Sequence, residues 1–317
     1  MSEKKVEIVN SYDNTEELVQ KFPTIHPTPV FTQMEKNIQN RLLTGFENWN
    51  RGFDAWKEWG DILYTPDSLY NVHAVHLTLG EYQNAMKATL RANDIQMGDF
   101  LHMVIVDDWC AINYKIATIS RETGHVSPGS VMEFVHFKDY GDPLGTRVVE
   151  GWAGTRGKDY AGLGYFQTED ERAAQKAMME NIAATQVPDT KDLTVKYPVK
   201  NPTTIRTELG QKIQAAILKD FDKWNQGFEA WCGWADEYYS QNLAYHTDHA
   251  VLGLEEVKTA AKEDGSQRLY FENMLISGDW AAIHYRTLKD GIPGSHMQFL
   301  HFEEENGALK VTECWTK

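Results

Sequence analysis

The sequence predicts an α+β chain made of two tandem copies of one domain, and three observations predict it. Residues 38–60, IQNRLLTGFENWNRGFDAWKEWG, recur as residues 213–235, IQAAILKDFDKWNQGFEAWCGWA, at an offset of 175 (38 to 213). Such a repeat has to be read before anything else in the chain. Within each copy the apolar residues Ile38, Leu42, Phe46, Trp49, Phe53 and Trp56, matched by Ile213, Ile217, Phe221, Trp224, Phe228 and Trp231, fall at steps of three and four. That spacing is one face of a helix. Each copy then continues into β-rich runs, 101–119 and 269–288, split by the turn-forming pairs Asp107-Asp108 and Gly278-Asp279, the pattern of a hairpin.

The elements follow in order. Residues 1–18 are polar and read as a loose leader. Phe22-Pro23 and His26-Pro27 correspond to Tyr197-Pro198 and Asn201-Pro202, and such extended, proline-punctuated segments predict an arm lying over each domain. In the aromatic stretch Gly52 and Gly227 sit mid-pattern, where glycine costs about 1 kcal/mol relative to alanine. They predict a bend or a close neighbour within one continuous long helix. Beyond it the offset reads as 173, at His73/His246, His76/His249, Leu79/Leu252 and Gly80/Gly253, with a second helix over 80–91 and 254–262. After the hairpins, whose Trp109 matches Trp280, GSVMEFVHFK against GSHMQFLHFE is a further strand. Val148, Glu150 and Trp152 against Val311, Glu313 and Trp315 mark a last one. Residues 156–192 read as a connector with one helix opened by the capping-box pair Thr168 and Glu171. The domains are therefore 19–155 and 193–317.

Composition bounds the partners. The 317 residues are 42% apolar, enough for a sizeable core, and carry 46 acidic against 31 basic side chains, a formal charge of −15. No basic cluster offsets this, so neither nucleic acid nor an anionic membrane surface is an expected partner. No run approaches the ~18 apolar residues of a membrane span, and the charged N-terminus is unlike a signal peptide. Cys110, Cys232 and Cys314 have no metal-type spacing and fit a reducing compartment. A soluble, cytoplasmic protein is expected.

A long aromatic helix, a short helix and three or four antiparallel strands ending in an acid-x-Trp motif together resemble the SnoaL-like polyketide cyclase family of the nuclear-transport-factor-2-like superfamily. The residues that carry the resemblance are Trp49/Trp224, Gly80/Gly253, Asp108-Trp109 with Asp279-Trp280, and the endings at Glu150 and Glu313, over roughly 45–155 and 220–317. The resemblance implies two cone-shaped α+β barrels, each a curved antiparallel sheet around its helices with a pocket at one end. A tandem copy would then be an intrachain pseudo-dimer with a pseudo-twofold axis, open to further oligomerisation. It also implies lyase or isomerase chemistry without a cofactor: cyclisation, isomerisation or dehydration of a small apolar or aromatic carbonyl or phenolic compound.

Such chemistry needs an acid or base in an apolar pocket, where desolvation raises a carboxyl pKa towards neutrality. Glu150 with His136, and Glu313 with His301, match the family's late-strand acid and nearby histidine, with Glu in place of Asp. An exposed edge Glu and a satisfied core His are the alternative reading. His73 and His246 stand where the family places a pocket-lining polar group. With His76 and His249 they form an HxxH spacing, but residues three apart on an extended segment point to opposite faces and no third ligand follows, so no metal is expected. Tyr114 and Tyr285 are candidate donors to a developing enolate, as a tyrosine is in ketosteroid isomerase, another cone-fold enzyme. Trp49, Trp56 and Trp152, with Trp224, Trp231 and Trp315, are candidate walls. Asn113/His284 and Glu133/Gln298 occupy matching strand positions and exchange titratable for neutral groups in opposite senses, so either one cone is the working site or these positions lie between the halves. The competing function is a small-molecule binding protein that uses the same pockets without chemistry. A third is an interaction scaffold.

Overall fold

In the computed structural model, which describes residues 12–72, 75–154 and 193–317, the chain divides into two units, Met1–Phe166 and Gln167–Lys317. The expected connector helix lies outside the described residues. The first unit opens on helix α1 (Thr15–Lys21) and strand β1 (Thr24–Pro27). α1 falls at the end of the expected loose leader, and it is ordered for two reasons. Leu18 is buried in the hydrophobic core, and the Asn40 amide donates to Asn14 Oδ1 and Thr15 Oγ1, both at 2.9 Å.

The aromatic stretch folds as two helices rather than one, α2 (Gln33–Asn50) and α3 (Phe53–Leu63). α2 starts at a capping box, with Thr32 accepting from the backbone of Glu35 and the Glu35 carboxylate accepting from Thr32 N. Between the helices Gly52 has φ 110° and ψ 165°, a conformation open to glycine and closed to other residues. An added Cβ at Gly52 would meet nothing within 4 Å, so backbone freedom, not close packing, is what this position needs. Gly227 repeats the break at φ 114°.

Strands β2 (Tyr64–Val72) and β3 (Val75–Thr78), helix α4 (Leu79–Ala92), and strands β4 (Asn93–Val106), β5 (Trp109–Ser120), β6 (Val126–Asp139) and β7 (Thr146–Gly154) complete the first unit. Asp107, at φ 57°, makes the tight β4–β5 turn. The sheet order is β1-β4-β5-β6-β7-β2-β3. The proline-punctuated arm is thus an edge strand, pairing Thr24 with Phe100 and His26 with His102 in parallel.

The second unit repeats this plan with α5 (Leu193–Lys196), β8 (Val199–Asn201), α6 (Glu208–Gln226), α7 (Phe228–Tyr238), β9 (Tyr239–His246), β10 (Val251–Leu252), α8 (Leu254–Asp264), β11 (Gln267–Ser277), β12 (Trp280–Lys289), β13 (Ile292–Glu305) and β14 (Ala308–Thr316). Its sheet runs β8-β11-β12-β13-β14-β9-β10, the same order.

Register corrects one alignment. Asn71 pairs with Trp152 and with His76, while His246 pairs with Trp315 and with Val251. Asn71, not His73, is therefore the counterpart of His246, and the offset stays at 175 through the second helix. Thr78 caps α4 where Gly253 caps α8. Gly80 lies inside its helix and has no counterpart in Gly253.

Strand alternation sorts the sheet into two faces. Cys110, Ile112 and Tyr114 of β5 and Val131, Val135 and Phe137 of β6 share one core with Ile38, Leu42 and Phe46 of α2. The alternate residues, Ala111 and Asn113 on β5 and Met132, Phe134 and His136 on β6, point to the opposite side. Close approach is built in at Gly45 on α2, where an added Cβ would lie 2.8 Å from the buried Trp59 ring, whereas at Gly80 it would meet nothing within 4 Å. Gly45→Ala is expected to destabilise the chain by about 1–3 kcal/mol through overpacking, and Gly80→Ala to be neutral or stabilising by up to about 1 kcal/mol. Urea denaturation of the two variants checks the contrast, and equal effects would remove the packing argument.

Candidate active site

The first unit holds a cavity of about 400 Å³ between its helices and the inner face of its sheet. Six rings form a continuous arc along its wall. Trp49 meets Trp56 edge-on at 5.2 Å, Trp56 meets Tyr82 at 5.8 Å, and Tyr82 stacks on Tyr70 at 4.3 Å. Tyr70 lies 6.4 Å from Tyr64, which lies 6.0 Å from Trp59. The Trp49 indole N–H donates to the Ile95 carbonyl at 3.3 Å and ties α2 to β4. Tyr70 owes its place to Gly151 opposite it on β7, since any side chain there would overlap its ring.

One carboxyl group faces this apolar space. Glu133 is 9% exposed, and its Oε1 accepts the Tyr114 hydroxyl at 2.7 Å. Tyr114 reaches it as the diagonal neighbour across the β5–β6 ladder, where Ile112 pairs with Glu133. The Tyr70 phenol borders the same cavity. Burial pushes the Glu133 carboxyl above its ordinary value of 4.5, and the nearby Tyr114 and Tyr70 phenols offset part of that shift. The phenols of Tyr64 and Tyr70 are also raised, first by burial and then by the Glu133 charge.

Of the first-unit residues singled out in the sequence, Trp49, Trp56, Tyr114 and Glu133 line the cavity. The others do not. Glu150 and His136 pair with each other across β6 and β7, so they share a face, but that face is the one turned away from the cavity. Each also takes a different partner. His136 bonds Asp108 Oδ2 at 3.0 Å and stacks on Trp109 at 4.5 Å, while Glu150 accepts the Trp152 indole N–H at 3.0 Å. Asn113, on the same outward side, contacts His102 Nδ1 at 3.2 Å, and Trp152 lies there opposite Phe134. His73 lies outside the described residues.

The second unit mirrors these placements. Trp224, Trp231, Tyr285 and Gln298 occupy the helix-facing side, and Gln298 donates to the Tyr245 hydroxyl at 3.2 Å. His301 bonds Asp279 at 3.0 Å, and His284 bonds Ser295 Oγ at 2.7 Å. Glu313 accepts from Trp315 at 2.7 Å and lies 3.3 Å from His246, whose ring stacks on Trp315 at 3.8 Å. All of these lie on the outward face. Among the described residues no group of three His, Cys, Asp or Glu side chains is placed to hold a metal, and no helix is long and apolar enough to cross a membrane.

Solved structures similar to this chain are nuclear-transport-factor-2-like and SnoaL-like proteins at low identity. A ketosteroid isomerase-like protein from Erwinia carotovora atroseptica is 14% identical over 39% of this chain and 98% of its own, with a TM-score of 0.31. A SnoaL-like protein from Jannaschia sp. CCS1 is 14% identical over 44% of this chain and 99% of its own, with a TM-score of 0.33. A nuclear transport factor 2-like superfamily protein from Salmonella enterica serovar Typhimurium LT2 is 13% identical over 38% and 93%, with a TM-score of 0.28. The sequence matches no protein-family model and no curated protein. At these scores the likenesses add nothing to the geometry of the site.

Tyr70, Tyr64, Tyr82 and Trp59 are site residues that sequence reasoning passed over. Tyr70 carried a signal, since its counterpart at offset 175, Tyr245, is also a tyrosine. The raised carboxyl of Glu133 has a consequence for stability. A folded-state pKa above the unfolded one adds stability below the unfolded value, and that stability is lost as pH rises through the folded value. Gln does not titrate and keeps an acceptor for the Tyr114 hydroxyl. Glu133→Gln should therefore leave the Tm near wild type below about pH 4 and raise it progressively at higher pH. Thermal melts across pH check this, and a shift that does not vary with pH would place Glu133 outside the buried, desolvated setting described above.

Proposed function

We propose that the first unit is a cofactor-independent acid–base catalyst of the cyclase, isomerase or dehydratase kind, acting on a small apolar carbonyl or phenolic compound. The observation that carries this reading is Glu133: a buried carboxyl that accepts the Tyr114 hydroxyl in the wall of a mostly apolar, aromatic cavity also lined by Tyr70. Glu133, and not Glu150, is then the base. Burial brings its pKa towards the working range of a general base. A substrate carbonyl entering beside it takes over the Tyr114 hydroxyl bond, and Glu133 removes a proton from the adjacent carbon. The enolate that forms is held by the tyrosine donor, a group already oriented before reaction. Glu133 then returns the proton to another carbon, or to a departing hydroxyl, with nothing else consumed. The aromatic arc binds the substrate body and keeps water away. The order of motifs shared with the SnoaL-like family supports the same class of chemistry.

The six-ring arc is a binding surface whether or not the acid acts, and it supports the alternative of a binding protein without chemistry. Glu133→Gln separates the two. As a catalyst, the variant should lose turnover of its substrate by about a hundredfold or more, with ligand-induced thermal stabilisation kept, while Glu150→Gln with Glu313→Gln should leave turnover near wild type. The measurement is mass spectrometry of a phenolic and polyketide-like metabolite extract over time, wild type beside both variants. Depletion with no new mass, equal in wild type and Glu133→Gln, would make the protein a binder.

A further inference from the structure

The two units place different contents in the same frame. Where the first unit has Gly45 on α2 and Met97 on β4, the second has Asp220 on α6 and Arg268 on β11. Gly45 and Asp220 precede the matching Phe46 and Phe221. The sheet register fixes the other pair, since Met97 sits opposite Ile116 and Arg268 opposite the equivalent Thr287.

In the second unit Arg268 Nη1 donates to Asp220 Oδ2, and Asp220 Oδ1 also accepts the Trp231 indole N–H at 2.9 Å. The Arg268 guanidinium lies over three rings, 4.2 Å from Trp224, 5.2 Å from Phe221 and 5.5 Å from Tyr285. Burial works against its charge, and the facing Asp220 together with the Tyr285, Tyr239 and Tyr245 phenols more than restores it. The aromatic box of the second unit is thus filled by a cation from its own chain.

The same box in the first unit, Phe46, Trp49 and Tyr114, borders the cavity, with no charge at Met97 and with Gly45 packed against the Trp59 ring. Phe46 meets Tyr114 edge-on at 4.9 Å, as Phe221 meets Tyr285 at 5.0 Å. The described lining residues include no Lys, Arg or His, and their one carboxyl, Glu133, is bonded to the box's own tyrosine. Aromatic faces with one acid and no base favour a positive group and disfavour an anion.

We propose that the ligand of the first unit carries a positively charged nitrogen, an ammonium or guanidinium on an apolar body, seated in the Phe46–Trp49–Tyr114 box where Arg268 sits in the second unit. The proposal rests on the reading of this cavity as the functional site and narrows its substrate class. Benzyltrimethylammonium and its uncharged isostere neopentylbenzene, titrated into the full chain and followed by tryptophan fluorescence and calorimetry, test it. The ammonium should bind at least about tenfold more tightly than the hydrocarbon. Met97→Arg, which supplies the box with a cation of its own, should weaken the ammonium by more than about tenfold, with Met97→Leu keeping it near wild type. Hydrocarbon binding as tight as ammonium binding would overturn the cationic class and leave the cavity reading standing. Binding of neither probe would overturn both. Ammonium binding undiminished in a folded Met97→Arg would place the cation elsewhere and overturn the proposal. If Met97→Arg fails to fold, the wild-type comparison of the two probes decides alone.

Discussion

In each unit the helices are fixed over the sheet by an edge-on contact between two tryptophans on either side of a positive-φ glycine. Trp49 meets Trp56 across Gly52, and Trp224 meets Trp231 across Gly227, at 5.2 and 5.1 Å. Without the break, a straight helix would carry the second tryptophan away along its own axis. With it, the chain turns, the two indoles meet, and the first indole N–H reaches a backbone carbonyl just before or at the start of the following long strand, Ile95 in one unit and Ser266 in the other. The space beneath this clamp is what each unit then fills or leaves open.

The two fillings follow different electrostatics. In the second unit Asp220 and Arg268 satisfy each other inside the protein. Such a pair contributes little net stability against an apolar filling, because desolvation of both ions opposes their attraction, but removing one partner would leave an uncompensated charge. In the first unit the corresponding Gly45 allows Trp59 to lie directly against α2, and Met97 is a flexible thioether bordering open space. The two units share one frame, and two residue differences within it separate an occupied interior from an available one.

Much of this was legible in the sequence, and the failures have physical causes. The repeat, the aromatic helix face and the hairpins could be read because each is a local periodicity. The helix break at Gly52 could not, since a glycine inside a 3.6-residue pattern looks the same whether it bends, packs closely or adopts φ 110°. The offset after the first helix was misread because glycine identity suggested Gly80 against Gly253, whereas the positions equivalent by capping are Thr78 and Gly253. Site residues failed for a different reason. Glu133 and Glu150 both lie on β-rich runs rich in apolar residues, and strand parity decides which faces the cavity. Parity needs the register, and the slip between His136 and Phe137 breaks any simple count from one strand to the next. Gly45 against Asp220 was visible as an acid on an otherwise apolar helix face. Its partner Arg268 lies 48 residues away, so the meaning of that acid was not visible.

Gln298 carries the argument about Glu133 furthest. It occupies the same register position in the second unit, opposite Ile283 as Glu133 is opposite Ile112. It also bonds a tyrosine, Tyr245, from the strand equivalent to that of Tyr70. A neutral amide therefore meets the packing and hydrogen-bonding demands of this place in the fold. A carboxyl in the same place adds a desolvation cost that the fold does not require, partly relieved by two phenols and by no basic side chain among the described lining residues. The acid is thus a feature of the first cavity rather than of the architecture, and the purpose it serves has to be sought in what enters that cavity.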